Sequence, residues 1–124
     1  AVHKWQSRRN VSEVVKLTKE QEKDTPPVEH PLIRTHPMSN KKSLYINPNR
    51  IDHISGFNET DSDKLLDEIY EFSFQDKYQY RHTYEKGDLV IWDNRCTMHK
   101  ANSNYDVSHL RIMHRVMLEG EAVF

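Results

Sequence analysis

Residues 92–115 read WDNRCTMHKANSNYDVSHLRIMHR, and in them His99 is followed at twelve and sixteen residues by Arg111 and Arg115. Imidazole binds metals and carries protons near neutral pH. Guanidinium grips a carboxylate through two parallel hydrogen bonds. If residues 111–118 form a strand, Arg111, Met113, Arg115 and Met117 share one face. Four residues of strand would set the two arginines about 13 Å apart. Two guanidiniums are costly in a dry core. They suit a face lining a pocket that receives anions, or a sheet edge where acidic side chains pair with them. His99 by itself is ambiguous, since a lone histidine after a strand is more often a hydrogen-bonded structural residue than a ligand. Cys96-x-x-His99 has the spacing of half a zinc site, but no second cysteine supplies the rest. Cys96 therefore reads as a buried thiol.

The elements that must position these residues are read from periodicity. Val11, Val14, Val15 and Leu17, with Ser12 as cap, predict a short helix. DTPPVEHP then forces an extended path. LIRTHP predicts a short strand, MSNKK a turn and SLYIN a second strand. Ile51 and Ile54 flank a bend that ends at Gly56. After NETDSD, the stripe Leu65, Leu66, Ile69, Tyr70, Phe72 predicts the clearest helix, with acidic residues at the positive end of its dipole. Tyr78, Tyr80, His82 and Tyr84 alternate as a strand would, with a turn at Lys86-Gly87-Asp88. DLVIWDN and RIMHRVML predict two more strands. The fold expected is mainly β with flanking helices, as a sandwich or jelly roll.

Composition narrows the function classes. Eighteen basic and 19 acidic residues give a net charge of −1, unlike a typical nucleic-acid binder. No apolar run approaches the roughly 20 residues of a membrane span. The single cysteine forms no internal disulfide, so a reducing cytoplasm is the expected compartment. The expected partner is a small molecule rather than nucleic acid or membrane. The chain is also polar, 35% hydrophobic with mean hydropathy −0.91. It opens on AVHKWQSRRN, with no capping residue ahead of a helix-compatible pattern. Half of a larger domain would look like this, whereas a complete domain so polar would have a thin core. Unpaired strand edges and an exposed apolar face in such a half predict a homo-oligomer.

The segment GDLVIWDNRCTMHKANSNYD…RIMHR resembles the C-terminal signature of the taurine/chlorophenoxyacetate dioxygenase family. EHPLIRTHPMSNKKSLYIN and PNRIDHISGF…DKLLDEIYEF are similar to upstream parts of that family, in the same order. The resemblance covers nearly all of residues 1–124. It implies part of a double-stranded β-helix (jelly roll) and an oxygenase using Fe(II), 2-oxoglutarate and O2. Such an enzyme hydroxylates a small, acidic organic substrate and releases succinate and CO2. Carried over by position, His99 matches the distal histidine of the two-histidine, one-carboxylate iron triad. Arg111 matches the arginine that holds the distal carboxylate of 2-oxoglutarate. Arg115 matches a second arginine, near the substrate's acid group or the co-substrate. Trp92, Asp93 and Asn94 stand just before the metal histidine, as residues supporting the pocket. Asn47 and Arg50 lie where relatives vary and touch substrate. His30, Arg34 and His36 also match, with packing as their expected role.

One departure is sharp. The family's other two ligands come as His-x-Asp or His-x-Glu, and none of the eight histidines here has an acidic residue two positions on. The expectation is that residues 1–124 form the C-terminal portion of a dioxygenase domain, inactive alone. The alternative is a non-catalytic β-sandwich serving as an anion-binding or interaction module. The sequence upstream of Ala1 separates the two, as a His-x-Asp or as a start codon.

Overall fold

The computed structural model describes residues 1–10, 17–102, 105, 106 and 108–120. Its elements are β1 (Val2–His3), α1 (Lys19–Asp24), β2 (Val28–Glu29), β3 (Ile33–Thr35), β4 (Lys42–Leu44), β5 (Ile51–His53), α2 (Glu59–Ser73) and a 3-10 turn at Asp76–Tyr78. By element the fold is mainly β with few helices. The strands form an antiparallel sheet of order β2-β1-β5 and a separate β3-β4 hairpin. The two do not close into a jelly roll among the described residues.

β1 is the centre of the larger sheet, although the N-terminal pattern is helix-compatible. Val2 pairs with Glu29 on one edge and His53 on the other, so both edges of a two-residue strand are used. Pairing on both sides outweighs local helix propensity. The helix expected around Val11, Val14 and Val15, capped by Ser12, lies outside the described residues. α1 begins later, where Thr18 and Gln21 form a reciprocal capping box. Residues 51–53, read as part of a bend, are instead β5.

α2 forms as its pattern predicts. Asn58 caps it by accepting the Asp61 N–H, and Glu59 and Asp61 occupy the first turn. Its buried face, Ser62 and Leu66, packs on Ile46, Ile51 and Ile54, with Leu65, Ile69 and Tyr70 at the margin. Ser62 Oγ accepts the Ile54 N–H at 2.8 Å, which bolts the helix to the end of β5. Arg8 and Arg9 reach the outer face of α2, pairing with Glu59, Asp63 and Asp67.

The β3–β4 hairpin turns at residues 37–39, and Asn40 takes the left-handed conformation (φ 55) that asparagine tolerates. β4 starts one residue earlier than SLYIN predicts and stops at Leu44, because Asn47 is used for the next turn. Its carbonyl accepts the N–H groups of Arg50 and Ile51.

The strands expected at 78–84, 88–94 and 111–118 do not form. Gly87 keeps its turn (φ 99), but none of the three segments has a ladder partner among the described residues. Strand geometry is held by a neighbour's hydrogen bonds, and alternation alone does not supply one. Leu89, Ile91, Leu110, Val116 and Leu118 are consequently between 84 and 93% exposed. No helix among the described residues is long and apolar enough to cross a membrane.

Leu66 is fully buried. Leu66→Ala should cost about 2–5 kcal/mol of stability. Leu110→Ala should change it by less than about 0.5 kcal/mol. Urea unfolding followed by circular dichroism reads both, and equal effects would contradict this placement of the core.

Acid stability follows from two groups. Burial, with His30 nearby, pushes the His3 imidazole from 6.5 down to about 4, and its Nε2 is buried without a partner. Burial pushes Asp52 upward, but the Arg8 N–H, the Lys4 ammonium and His53 outweigh it and bring it from 3.8 to about 2. Unfolded His3 takes up a proton between 6.5 and about 4 that the folded state refuses, so stability should fall through that window. Unfolded Asp52 does the same between 3.8 and about 2, so a second loss should follow. His3→Phe should flatten the first decline in a pH series of denaturant midpoints and leave the second.

Candidate metal and co-substrate site

The turn before His99 is built around Asp93. Its carbonyl accepts the Cys96 N–H (3.3 Å), the Thr97 N–H (3.0 Å) and the Thr97 hydroxyl (2.6 Å). Its carboxylate accepts the Arg95 backbone N–H at 2.8 Å and the Arg95 guanidinium at 2.6–3.1 Å. Arg95 first, then the His36 ring, hold the Asp93 carboxyl far below the usual carboxylate range. Trp92 precedes this turn. Its indole donates to Asn94 Oδ1 at 2.9 Å, and its ring lies 4.8 Å from the His99 ring. Trp92, Asp93, Asn94 and His99 therefore form one local unit, with His99 itself exposed. Cys96, expected as a buried thiol, is exposed, because the turn carries it to the surface, where its sulfur donates weakly to the Asp93 carbonyl.

The arginines are separate from that unit. The Arg111 guanidinium stands over two tyrosine rings, Tyr84 at 5.6 Å and Tyr105 at 5.2 Å. A planar cation between aromatic faces is held in orientation while its edge stays free for a carboxylate. A cleft of about 350 Å³ beside it is lined by Tyr105, Ser108, His109, Leu110 and Arg111. Arg115 is exposed and makes no ion pair among the described residues. Asn47 and Arg50 lie elsewhere. Asn47 Oδ1 accepts the Asn49 N–H, while Arg50 stacks on the Trp5 ring at 3.8 Å and donates to the Trp5 carbonyl.

The tyrosine support of Arg111 escapes sequence reading, since Tyr84 and Tyr105 sit 27 and six residues away with no shared period. A second feature also escapes it. Donor atoms of His36, Asp93 and Cys96 all lie within 4.8 Å of one another, a grouping that metal ligands also adopt. The hydrogen bonds argue against a cation there. His36 Nδ1 accepts the N–H groups of Met38 and Ser39, both at 3.2 Å, so the ring proton belongs on Nε2. Nε2 then donates to Asp93 Oδ2 at 3.0 Å and has no lone pair for a metal.

The model of the taurine catabolism dioxygenase TauD, TfdA family matches residues 1–117. The chain belongs to that family. Family relatives include the alpha-ketoglutarate-dependent 2,4-dichlorophenoxyacetate dioxygenase of Burkholderia sp., 43% identical over 95 residues, 77% of this chain and 31% of that protein. An alkylsulfatase of Acinetobacter baylyi is 37% identical over 93 residues, 75% of this chain and 29% of its own length. Among solved structures, a Burkholderia xenovorans protein assigned as an alpha-ketoglutarate-dependent 2,4-D dioxygenase matches with TM-score 0.63 and 38% identity. It is matched over 68% of this chain and 32% of its own. AAD-2 in complex with Mn(II) and N-oxalylglycine matches with TM-score 0.58 and 33% identity, over 65% of this chain and 32% of that one. The chain spans about a third of the length of these family members.

The donor set here fits the family's iron in part. His99 offers one imidazole beside the Trp92 ring, and Arg111 offers a cation beside a cleft. No histidine is followed two residues later by an acid, so a full triad is not present in residues 1–124. A single imidazole does not chelate. Anaerobic calorimetric titration of this chain with Fe(II) should show no tight stoichiometric site. Tight binding abolished by His99→Ala would contradict the missing-ligand argument.

Proposed function

We propose that residues 1–124 are the C-terminal part of an Fe(II)/2-oxoglutarate-dependent oxygenase domain of jelly-roll fold. The observation that carries this reading is the family match across residues 1–117. In the reaction proposed, a C–H bond of a small organic acid becomes C–OH. 2-Oxoglutarate and O2 are consumed, and succinate and CO2 are released. The iron supplies the oxygen activation, and the protein's part is to bind, orient and shield.

His99 holds one position of the metal, and two ligands come from a His-x-Asp outside residues 1–124. Arg111, steadied by Tyr84 and Tyr105, grips the distal carboxylate of 2-oxoglutarate. Arg115 receives the acid group of the substrate. Aryloxy acids and sulfate esters are the substrate classes favoured, because relatives at 36–43% identity are named for them. The lone exposed Cys96 suits a reducing cytoplasm. The exposed apolar side chains of 89–118 support self-association of the chain.

The test is a chimera in which this chain replaces the matching third of the Burkholderia 2,4-dichlorophenoxyacetate dioxygenase. It should decarboxylate 2-oxoglutarate in the presence of an aryloxy acid, and His99→Ala should abolish turnover. Arg111→Ala should cost about 2–5 kcal/mol of 2-oxoglutarate binding, seen as a raised KM. Arg111→Lys should recover only part, since a point charge does not reproduce the planar fork. Arg115→Ala should act on KM for the acid substrate instead. Unchanged 2-oxoglutarate saturation in Arg111→Ala would overturn the co-substrate assignment.

A further inference from the structure

His36 follows β3 in the hairpin, and sequence reading gives it only a packing role. It is 9% exposed, and its ring is fixed at both nitrogens. Two backbone N–H groups of its own turn, from Met38 and Ser39, point at Nδ1. The remaining proton, on Nε2, points across 57 residues of sequence at Asp93 Oδ2, 3.0 Å away. Asp93 in turn closes the 93–97 turn through its carbonyl and its other carboxylate oxygen. The next residue back, Trp92, lies against His99. A second tie runs in parallel, from the Ser43 hydroxyl of β4 to the Arg95 carbonyl at 3.4 Å. The hairpin thus touches the turn at two points, and the turn ends two residues before His99.

We propose that His36 is a positioning residue for His99, acting through Asp93 and the turn it closes. The proposal rests on the reading of His99 as a metal ligand, and it adds where that ligand's placement comes from. A buried, tautomer-locked N–H donor fixes a carboxylate in direction as well as distance. The Asp93 backbone is held as a consequence, and with it the start of the segment bearing Trp92 on one side and His99 on the other. His36 and Asp93 together do for His99 what a second layer of hydrogen bonds does for metal ligands generally, without either touching the metal.

The test reads His99 directly, in the full 124-residue chain labelled at histidine nitrogen. The Trp92 ring should displace the His99 ring-proton resonances from those of the exposed His109, and His36 should show the Nε2–H tautomer. His36→Phe should remove most of the His99 displacement. His36→Gln, whose amide can donate from nearly the same place, should restore most of it. Asp93→Ala should reproduce the His36→Phe result from a half-exposed position, which guards against simple loss of the hairpin. Amide exchange across α2 reports that the core is intact in each variant. A His99 displacement unchanged in both His36→Phe and Asp93→Ala would overturn the proposal, as would failure of His36→Gln to restore it. No metal enters this measurement, so it stands or falls apart from the iron reading, which the chimera decides.

Discussion

Val2 and His3 are hydrogen-bonded along both edges, and the three-stranded sheet and α2 are arranged around that double pairing. One edge takes β2 and the other takes β5. Because β5 is placed by β1, its end places Ile54, and the Ile54 N–H places α2 through Ser62. Asp52 reinforces the same junction from the side. Its carboxylate accepts from Lys4, His53 and the Arg8 backbone, while the Ser7 hydroxyl donates to the Ile51 carbonyl. The Arg8 and Arg9 pairs on the outer face of α2 add little beside this, since exposed ion pairs are weakened by water and by side-chain entropy. Burial of Ile51 and Leu66 supplies the favourable term, and the polar contacts set its register.

The second half of the chain obeys the same constraint and fails to meet it among the described residues. Among the described residues from Gln79 to Gly120 no strand or helix forms, although DLVIWDN and RIMHRVML are rich in strand-forming residues. Leu89, Ile91, Ile112, Val116, Met117 and Leu118 within them are largely exposed. The residues with chemistry, His99, Arg111 and Arg115, all sit in this half. The fold and the chemistry are therefore segregated. Residues 1–73 carry the core, and residues 92–115 carry His99, Arg111 and Arg115, the groups proposed above to meet metal and anions.

Legibility in the sequence followed the range of each interaction. α2 was visible because its cap, its acidic first turn and its apolar stripe all lie within 15 residues. The β3–β4 turn and the Gly87 turn were visible for the same reason. β1 was not, because what makes Val2 and His3 a strand is 25–27 residues away on one edge and 48–51 on the other. The strands expected at 78–84, 88–94 and 111–118 erred in the opposite direction, since alternation marks a capacity to pair and says nothing of whether a partner is present. For the site, motif resemblance singled out His99 and Arg111. The contacts that steady them, His36 to Asp93 and Tyr84 with Tyr105 to Arg111, obey no short-range pattern.

The turn at Asp93 shows why chemistry and fold can be segregated without the ligand being adrift. A loop histidine on an otherwise unpaired segment would sample many orientations, and each would have to be given up when a metal binds. Here much of that ordering is done in advance by the hairpin, whose own geometry is settled by β3–β4 pairing and by the left-handed Asn40. The ordering passes through the His36 ring, which accepts from the Met38 and Ser39 N–H groups and donates to Asp93. Asp93 keeps its negative charge nearby while Arg95 and His36 occupy its oxygens. It is thereby withheld as a competing ligand. The same carboxylate that would otherwise join a His-Asp-Cys cation site is turned into the support for a different histidine.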